Sequence, residues 1–276
     1  MINKKQEERL DYLLEAFKKD SLWYKDLEVG EDYQEKRRAL RSLMNIRMPG
    51  AMAPEVLEVQ DEFLREEAAE KGIVTLEEIP TAARQYGSRK SFGDKISVWQ
   101  GDITRLQVGA IVNAANSQML GCFHPCHGCI DNAIHSAAGI ELREACSQYM
   151  EHRKVQYGKD YEEPTGQAAL TEAYNLPAEY VIHTVGPIVY GGLTEELKND
   201  LRSCYENVLK CCAEHGIRSV AFCCISTGEF RFPNEEAAII AVSEVRKFLE
   251  EHETNFDRII FNVFKDVDRE LYKQLV

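Results

Sequence analysis

Five cysteine or histidine side chains, Cys122, His124, Cys126, His127 and Cys129, fall within eight residues. The whole 276-residue chain holds 9 Cys and 7 His, so about half of one would be expected in such a window by chance. Thiolate and imidazole donors at this density suit zinc, which takes three protein ligands and keeps one position open when its role is catalytic. The preferred set is Cys122, His127 and Cys129. His127 and Cys129 lie two apart, so a turning backbone can aim both at one ion while Pro125 stiffens the return from Cys122. Cys126 as a fourth ligand would close the site and make it structural, and a cysteine-rich turn with no metal is the other alternative.

Three further polar segments carry donors and acceptors suited to a small anionic ligand. Gly101-Asp102-Ile103 offers a carboxylate that could accept from an exocyclic amine such as that of adenine. Asn113 and Asn116 can present amides to sugar hydroxyls, since each amide both donates and accepts. Ser226-Thr227-Gly228 supplies successive backbone N–H groups just before a helix, as a phosphate cradle would, and Phe230 could stack or pack at the same mouth. Taken singly, each is as readily a turn former as a functional group. His135 and His183 sit among apolar neighbours and read as core or supporting groups, and Arg231 reads equally as a phosphate contact or a solvated loop residue; all three stay outside the site.

Elements must bring these segments together. Up to about residue 85 the pattern is helical: Leu10, Leu13, Leu14 and Phe17 form one stripe, a second helix spans about 32–48, and a third runs from Pro54 to a stop at Gly72. Thr75 to Glu78 resembles a capping box. From about Asp94 the period changes to alternating strands and helices. Strands are predicted at Ile96–Val98, 108–112, 165–171, 180–185, 220–225 and 258–264. Helices are predicted over 130–152, 195–215, 234–251 (capped by Asn234) and 266–275. That alternation implies an α/β sheet flanked by helices, in which ligands sit beyond the carboxyl ends of strands.

Composition agrees with one large domain or a domain with an appendage: 44% apolar and 29% charged residues are those of a globular protein. A net charge of −13 opposes nucleic-acid binding. No run long enough to span a membrane exists, and Met1 to Glu8 has no apolar signal core, so a cytoplasmic protein is expected. Nine cysteines, an odd number, with Cys211-Cys212 and Cys223-Cys224 in apolar runs, do not form a secreted disulfide framework.

The motifs occur in the order that identifies the macrodomain family, the ADP-ribose-binding fold. The chain resembles it over about residues 90–276, through Gly101-Asp102-Ile103-Thr104, Asn113-Ala114-Ala115-Asn116, Asp131 to Gly139, Pro164 to Ala168, Val181 to Pro187 and Ser226-Thr227-Gly228. Resemblance implies a three-layer α/β/α sandwich with a mixed central sheet (89–276), preceded by a helical N-terminal extension (1–88). It also implies ADP-ribose contacts from Asp102 and Ile103 at the adenine and from Asn113 and Asn116 at the distal ribose. Cys129, Ile130, Asp131 and Asn132 would line the wall there, and Ser226, Thr227, Gly228, Glu229 and Phe230 would surround the diphosphate. Where hydrolytic macrodomains of the MacroD type carry glycines, this chain has Cys122 to Cys129, which looks like the zinc-dependent macrodomains of bacteria and fungi. Their Cys-Phe-x-Pro-x-His-x-Cys pattern maps zinc onto Cys122, His127 and Cys129, and leaves His124 and Cys126 at variable positions.

That resemblance implies a hydrolase removing mono-ADP-ribose from modified proteins through a side-chain carboxylate linkage, sometimes from a partner modified by a sirtuin-like transferase encoded alongside. Asp131 and Asn116 would be the catalytic residues. The ion could orient the distal ribose, polarise an oxygen or activate a water. The competing reading is a reader module that binds ADP-ribose without turnover, its zinc closed by four ligands.

Overall fold

The computed structural model describes residues 4–253 and 255–276, so the reading of Met1 to Asn3 lies outside the described residues. Three helices come first: α1 (Lys4–Asp20), α2 (Tyr33–Ile46) and α3 (Pro54–Lys71). Asp32 caps α2 by accepting from the Gln34 and Glu35 amides, and Pro54 stands at the start of α3, where its missing N–H is not needed. Their stripes close on one another, with Leu10, Phe17, Leu40, Leu43 and Phe63 in a cluster that Ile140 of the main body enters. Arg37 forks onto Glu67 at 2.6 and 2.8 Å beside this cluster. Burial works against the Glu67 charge, yet the Arg37 guanidinium outweighs it and holds the carboxyl down to about 2.

The chain continues through β1 (Val74–Thr75), a 3-10 turn at Leu76–Glu78 and α4 (Ala82–Tyr86). The capping-box pattern heads that single turn, where the Thr75 amide donates to the Glu78 carboxylate at 2.8 Å. Ile79 and Ala82 are buried in the main core, so residues ahead of β2 also pack against the main body.

The main body comprises β2 (Ile96–Gln100), β3 (Leu106–Gln107), β4 (Ala110–Ala115), α5 (Ile130–Ala138), α6 (Ile140–Tyr157), β5 (Ala168–Glu172), β6 (Tyr180–Val185), α7 (Glu195–Glu214), β7 (Ser219–Phe222), α8 (Asn234–Glu251), β8 (Arg258–Val263) and α9 (Asp266–Leu275). β1 and β3 make a small parallel pair. The other strands form a six-stranded sheet ordered β2-β8-β7-β4-β6-β5, parallel except where β5 runs against β6. β4, β7 and β8 carry consecutive buried residues, as strands covered on both faces do. The result is an α/β fold with a mixed six-stranded sheet, preceded by helices.

Two local expectations are corrected. One helix was expected over 130–152, but the chain breaks at Gly139, whose φ of +100° suits glycine. A Cβ there would also approach the Gln60 amide nitrogen to 2.8 Å. The apolar stripe continues across the break, which is why periodicity alone reads one helix. Asn234 does not cap α8; Pro233 takes that place, and the Asn234 amide donates to Asp268 instead. Among the described residues no helix is long and apolar enough to cross a membrane.

Candidate active site

The parallel strands deliver their carboxyl ends to one edge of the sheet, and a cleft of about 850 Å³ opens there. On one wall, after β2, the Asp102 carboxylate accepts from the Thr104 amide at 3.0 Å and the Thr104 hydroxyl at 2.7 Å, which fixes its orientation. Asn262, from β8, donates to the Gly101 carbonyl at 3.0 Å. Only glycine fits at 101, because a Cβ would come within 2.5 Å of the Trp99 ring. Phe264 extends this wall, 77% exposed, its carbonyl held by the Gln100 amide at 3.1 Å.

After β7 the chain makes a tight turn. The Thr227 hydroxyl donates to the Cys224 carbonyl at 3.0 Å, and the Arg231 and Phe232 amides donate to Gly228 and Ser226. Ser226 takes φ +64°, and its buried hydroxyl packs against Gly186 without a hydrogen-bond partner among the described residues.

Between β4 and α5 lies the cysteine and histidine loop. Cys122 Sγ lies 3.7 Å from His127 Nδ1, and the donor atoms of Cys122, His127 and Cys129 all fall within 4.8 Å of one another. His127 Nε2, the other ring nitrogen, faces Glu229 at 3.7 Å. Burial and the neighbouring Cys122 and Asp131 push the Cys129 thiol up to about 12, against a hydrogen bond from the Asn132 amide. Two thiols and an imidazole converging where negative charge is disfavoured form a donor set that fits a dication, which would reverse that penalty. Cys126 turns away: its Sγ meets the Ser42 hydroxyl at 3.3 Å and the Arg38 carbonyl at 3.5 Å, both on α2. His124 packs edge-on to His127 with ring centres 5.2 Å apart and is not among the converging donors.

Asp131, in the first turn of α5, lines the cleft beside the triplet and is 5% exposed. Burial pushes its carboxyl up to about 6, while the Asn113 amide and the Arg143 guanidinium pull it down. Asn113 Nδ2 donates to Asp131 Oδ1 at 2.8 Å and also meets His183 Nδ1 at 3.1 Å. Burial keeps His183 low, at about 4, and holds His135 well below its usual value, so both rings are neutral.

A second group among the described residues, His135, Cys146 and His183, has donor atoms close enough to hold an ion. Its His183 Nε2 is already paired with the Thr171 hydroxyl at 3.0 Å, and all three residues are buried and outside the cleft lining. Cys122, His127 and Cys129, by contrast, are half-buried and line the cleft.

The cleft gathers Asp102, Ile103, Asn116, Cys122, His127, Cys129, Ile130, Asp131 and the Ser226–Phe230 turn. It does not gather Asn113 or Asn132, both expected as ligand contacts and both fully buried. Asn113 reaches Asp131 instead. Asn132 donates to the His124 carbonyl at 2.9 Å and the Cys122 carbonyl at 3.4 Å, beneath the loop. Sequence reasoning missed Arg41, Asn262, Phe264, Lys265 and Asp268 on the cleft wall. Those after β8 were accessible through the carboxyl-end rule; Arg41 comes from a helix that no local signal connects to the site.

A strand-end cleft holding an Asp-Ile turn, an Asn-Ala-Ala-Asn strand end and a Ser-Thr-Gly turn defines a Macro domain, and that family matches residues 112–241. A protein-ADP-ribose hydrolase of Treponema medium is 43% identical over 98% of this chain and 99% of its own length. A protein-ADP-ribose hydrolase of Staphylococcus aureus is 39% identical over 98% and 96% of the two chains. The Trypanosoma brucei macrodomain, in a crystal structure with ADP-ribose, superposes with a TM-score of 0.63 at 31% identity, covering 85% of this chain and 94% of that one. The chain belongs to the macrodomain family of protein-ADP-ribose hydrolases.

Proposed function

We propose that this protein is a zinc-dependent hydrolase that removes mono-ADP-ribose from modified protein side chains, through a carboxylate linkage, and releases ADP-ribose. The observation that carries the reading is the convergence of Cys122, His127 and Cys129 on the cleft wall that also holds Asp131. Full-length relatives named protein-ADP-ribose hydrolases support the reaction class. In this reading residues 1–88 are an extension on a macrodomain of 89–276. The free thiols suit a reducing, cytoplasmic setting. The substrates are mono-ADP-ribosylated proteins, including those made by a sirtuin-like transferase.

ADP-ribose would lie with its adenine amine at Asp102, its ring between Ile103 and Phe264, and its diphosphate over Ser226 to Phe230. The distal ribose would meet Asn116, Cys129, Ile130 and Asp131. Cys122, His127 and Cys129 would hold the zinc, which would supply Lewis-acid chemistry at that end. Asp131 accepts a proton from water as the water oxygen bonds to the anomeric carbon. The bond from that carbon to the side-chain oxygen breaks, and the carboxylate leaves. Asn113 orients Asp131 for this step rather than touching the ribose. The reader alternative needs a fourth ligand, and the engagement of Cys126 with α2 counts against it.

Release of free ADP-ribose from a carboxylate-linked mono-ADP-ribosylated protein tests the proposal. Wild type should release it, and Asp131→Ala should fall by about 100-fold or more, the contribution of a positioned base, with ADP-ribose binding retained. Wild type that binds ADP-ribose and zinc but releases nothing would hand the site to the reader alternative.

A further inference from the structure

We propose that α2 of the N-terminal helices is part of the metal centre: Arg41 and Asn45 hold the Cys122–Cys129 loop in its ligating form. The inference rests on the zinc reading above and assigns the helical extension a task at the site beyond packing.

The loop has little regular structure of its own. Its backbone takes φ +51° at Cys126, a conformation uncommon for a residue with a side chain and one that persists where surroundings over-determine it. Here α2 supplies the surroundings. Asn45, 1% exposed, accepts from the Cys126 amide at 2.9 Å through Oδ1 and donates to the Ser136 hydroxyl of α5 at 2.9 Å through Nδ2. The amide is thereby fixed at both ends, one on the loop and one on the helix that carries Asp131.

Arg41 acts at the ligands themselves through Asn132. Its guanidinium donates twice to Asn132 Oδ1, at 2.7 and 3.2 Å, and more weakly to the His127 carbonyl at 3.4 Å. Charge on that oxygen side fixes which way the Asn132 amide points. Nδ2 is left to hold the Cys122 and His124 carbonyls, while the Asn132 backbone amide donates to Cys129 Sγ at 3.4 Å. One buried asparagine thus contacts the backbone or sulfur of two proposed ligands, and Arg41 contacts the carbonyl of the third. Groups that orient metal ligands in this way typically carry ten- to a hundred-fold of metal affinity.

The test is zinc competition against a chromogenic chelator, 4-(2-pyridylazo)resorcinol, on the full chain. Cobalt(II) substitution, which reports thiolate coordination by its absorption, runs beside it. Arg41→Ala and Asn45→Ala should bind zinc roughly ten- to a hundred-fold more weakly than wild type, with an altered cobalt spectrum. Lys36→Ala, on the same helix but paired with Asp11 of α1 and with Glu31 rather than with the loop, should bind as wild type does. Arg41 is only half-buried, so it remains informative if the buried Asn45 variant does not fold. Arg41→Lys should weaken zinc while leaving the melting temperature unchanged, a split that general packing would not produce. Zinc affinity unchanged in both Arg41 variants overturns the inference while the zinc reading stands. A wild type that takes up no zinc refutes both.

Discussion

Asn113→Ala separates orientation from contact. Asn113 is fully buried and outside the cleft, and its amide is 2.8 Å from the Asp131 oxygen that it fixes. A hydrogen bond to a charged group contributes about 1.5–3 kcal/mol, which at one decade per 1.4 kcal/mol converts to a kcat loss of about 10- to 150-fold. ADP-ribose affinity should change little, since no ribose hydroxyl is lost. The variant also removes the hydrogen bond to Asp131 Oδ1, which keeps only His135 Nε2 at 3.5 Å, and the partner of His183 Nδ1, each loss costing about 1–3 kcal/mol of stability. The melting temperature should therefore fall by several degrees, at about 2–4 °C per kcal/mol for a chain of this size. Steady-state hydrolysis well below the melting transition, paired with ADP-ribose titration by calorimetry, reads both quantities. An unchanged kcat with binding weakened by the same factor would refute the reasoning and return Asn113 to the ligand.

Three other outcomes follow from particular contacts. Cys126→Ser should retain zinc at wild-type stoichiometry because its sulfur faces α2, whereas Cys122→Ala and Cys129→Ala should lose it; elemental analysis of the purified proteins decides. Phe264→Ala should weaken ADP-ribose binding by about 1–3 kcal/mol, the range for base stacking on an aromatic ring, and leave binding of ribose 5-phosphate unchanged by calorimetry. Glu67 is depressed from 4.5 to about 2, so its contribution is complete above pH 4.5 and lost as pH falls through that window toward 2; at 1.36 kcal/mol per unit it amounts to at most about 3 kcal/mol. Urea unfolding of wild type against Glu67→Gln should show a gap at pH 7 that narrows between pH 4.5 and 3, and a constant gap would contradict it.

The residues of the cleft that sequence made legible are those in turns after strands, where side chains have only one side open to them. Asp102, Asn116 and the Ser226 turn were found in this way, and the crowded thiol and imidazole loop stood out by composition. Asn113 illustrates what local pattern cannot reach. It lies within β4, where alternation says that its side chain leaves one face but not what meets it, and its partners are 18 and 70 residues away. Asn132 likewise looks like a cleft residue beside Asp131, but the turn of α5 carries it under the loop to meet Arg41, 91 residues earlier. The helical extension read correctly as amphipathic helices from its apolar stripes. Its polar residues that face the loop, Arg41, Ser42 and Asn45, carry no periodic signature, so their task emerged only from the packing of α2 against α5.

The most direct test of the central claim is to strip the wild-type chain of metal with a chelator, remove the chelator, and measure ADP-ribose release before and after returning one equivalent of zinc. The account predicts loss of release on stripping, with the fold intact by circular dichroism, and recovery with zinc but not with magnesium, which thiolate ligands do not favour. Full release from metal-free protein would contradict it.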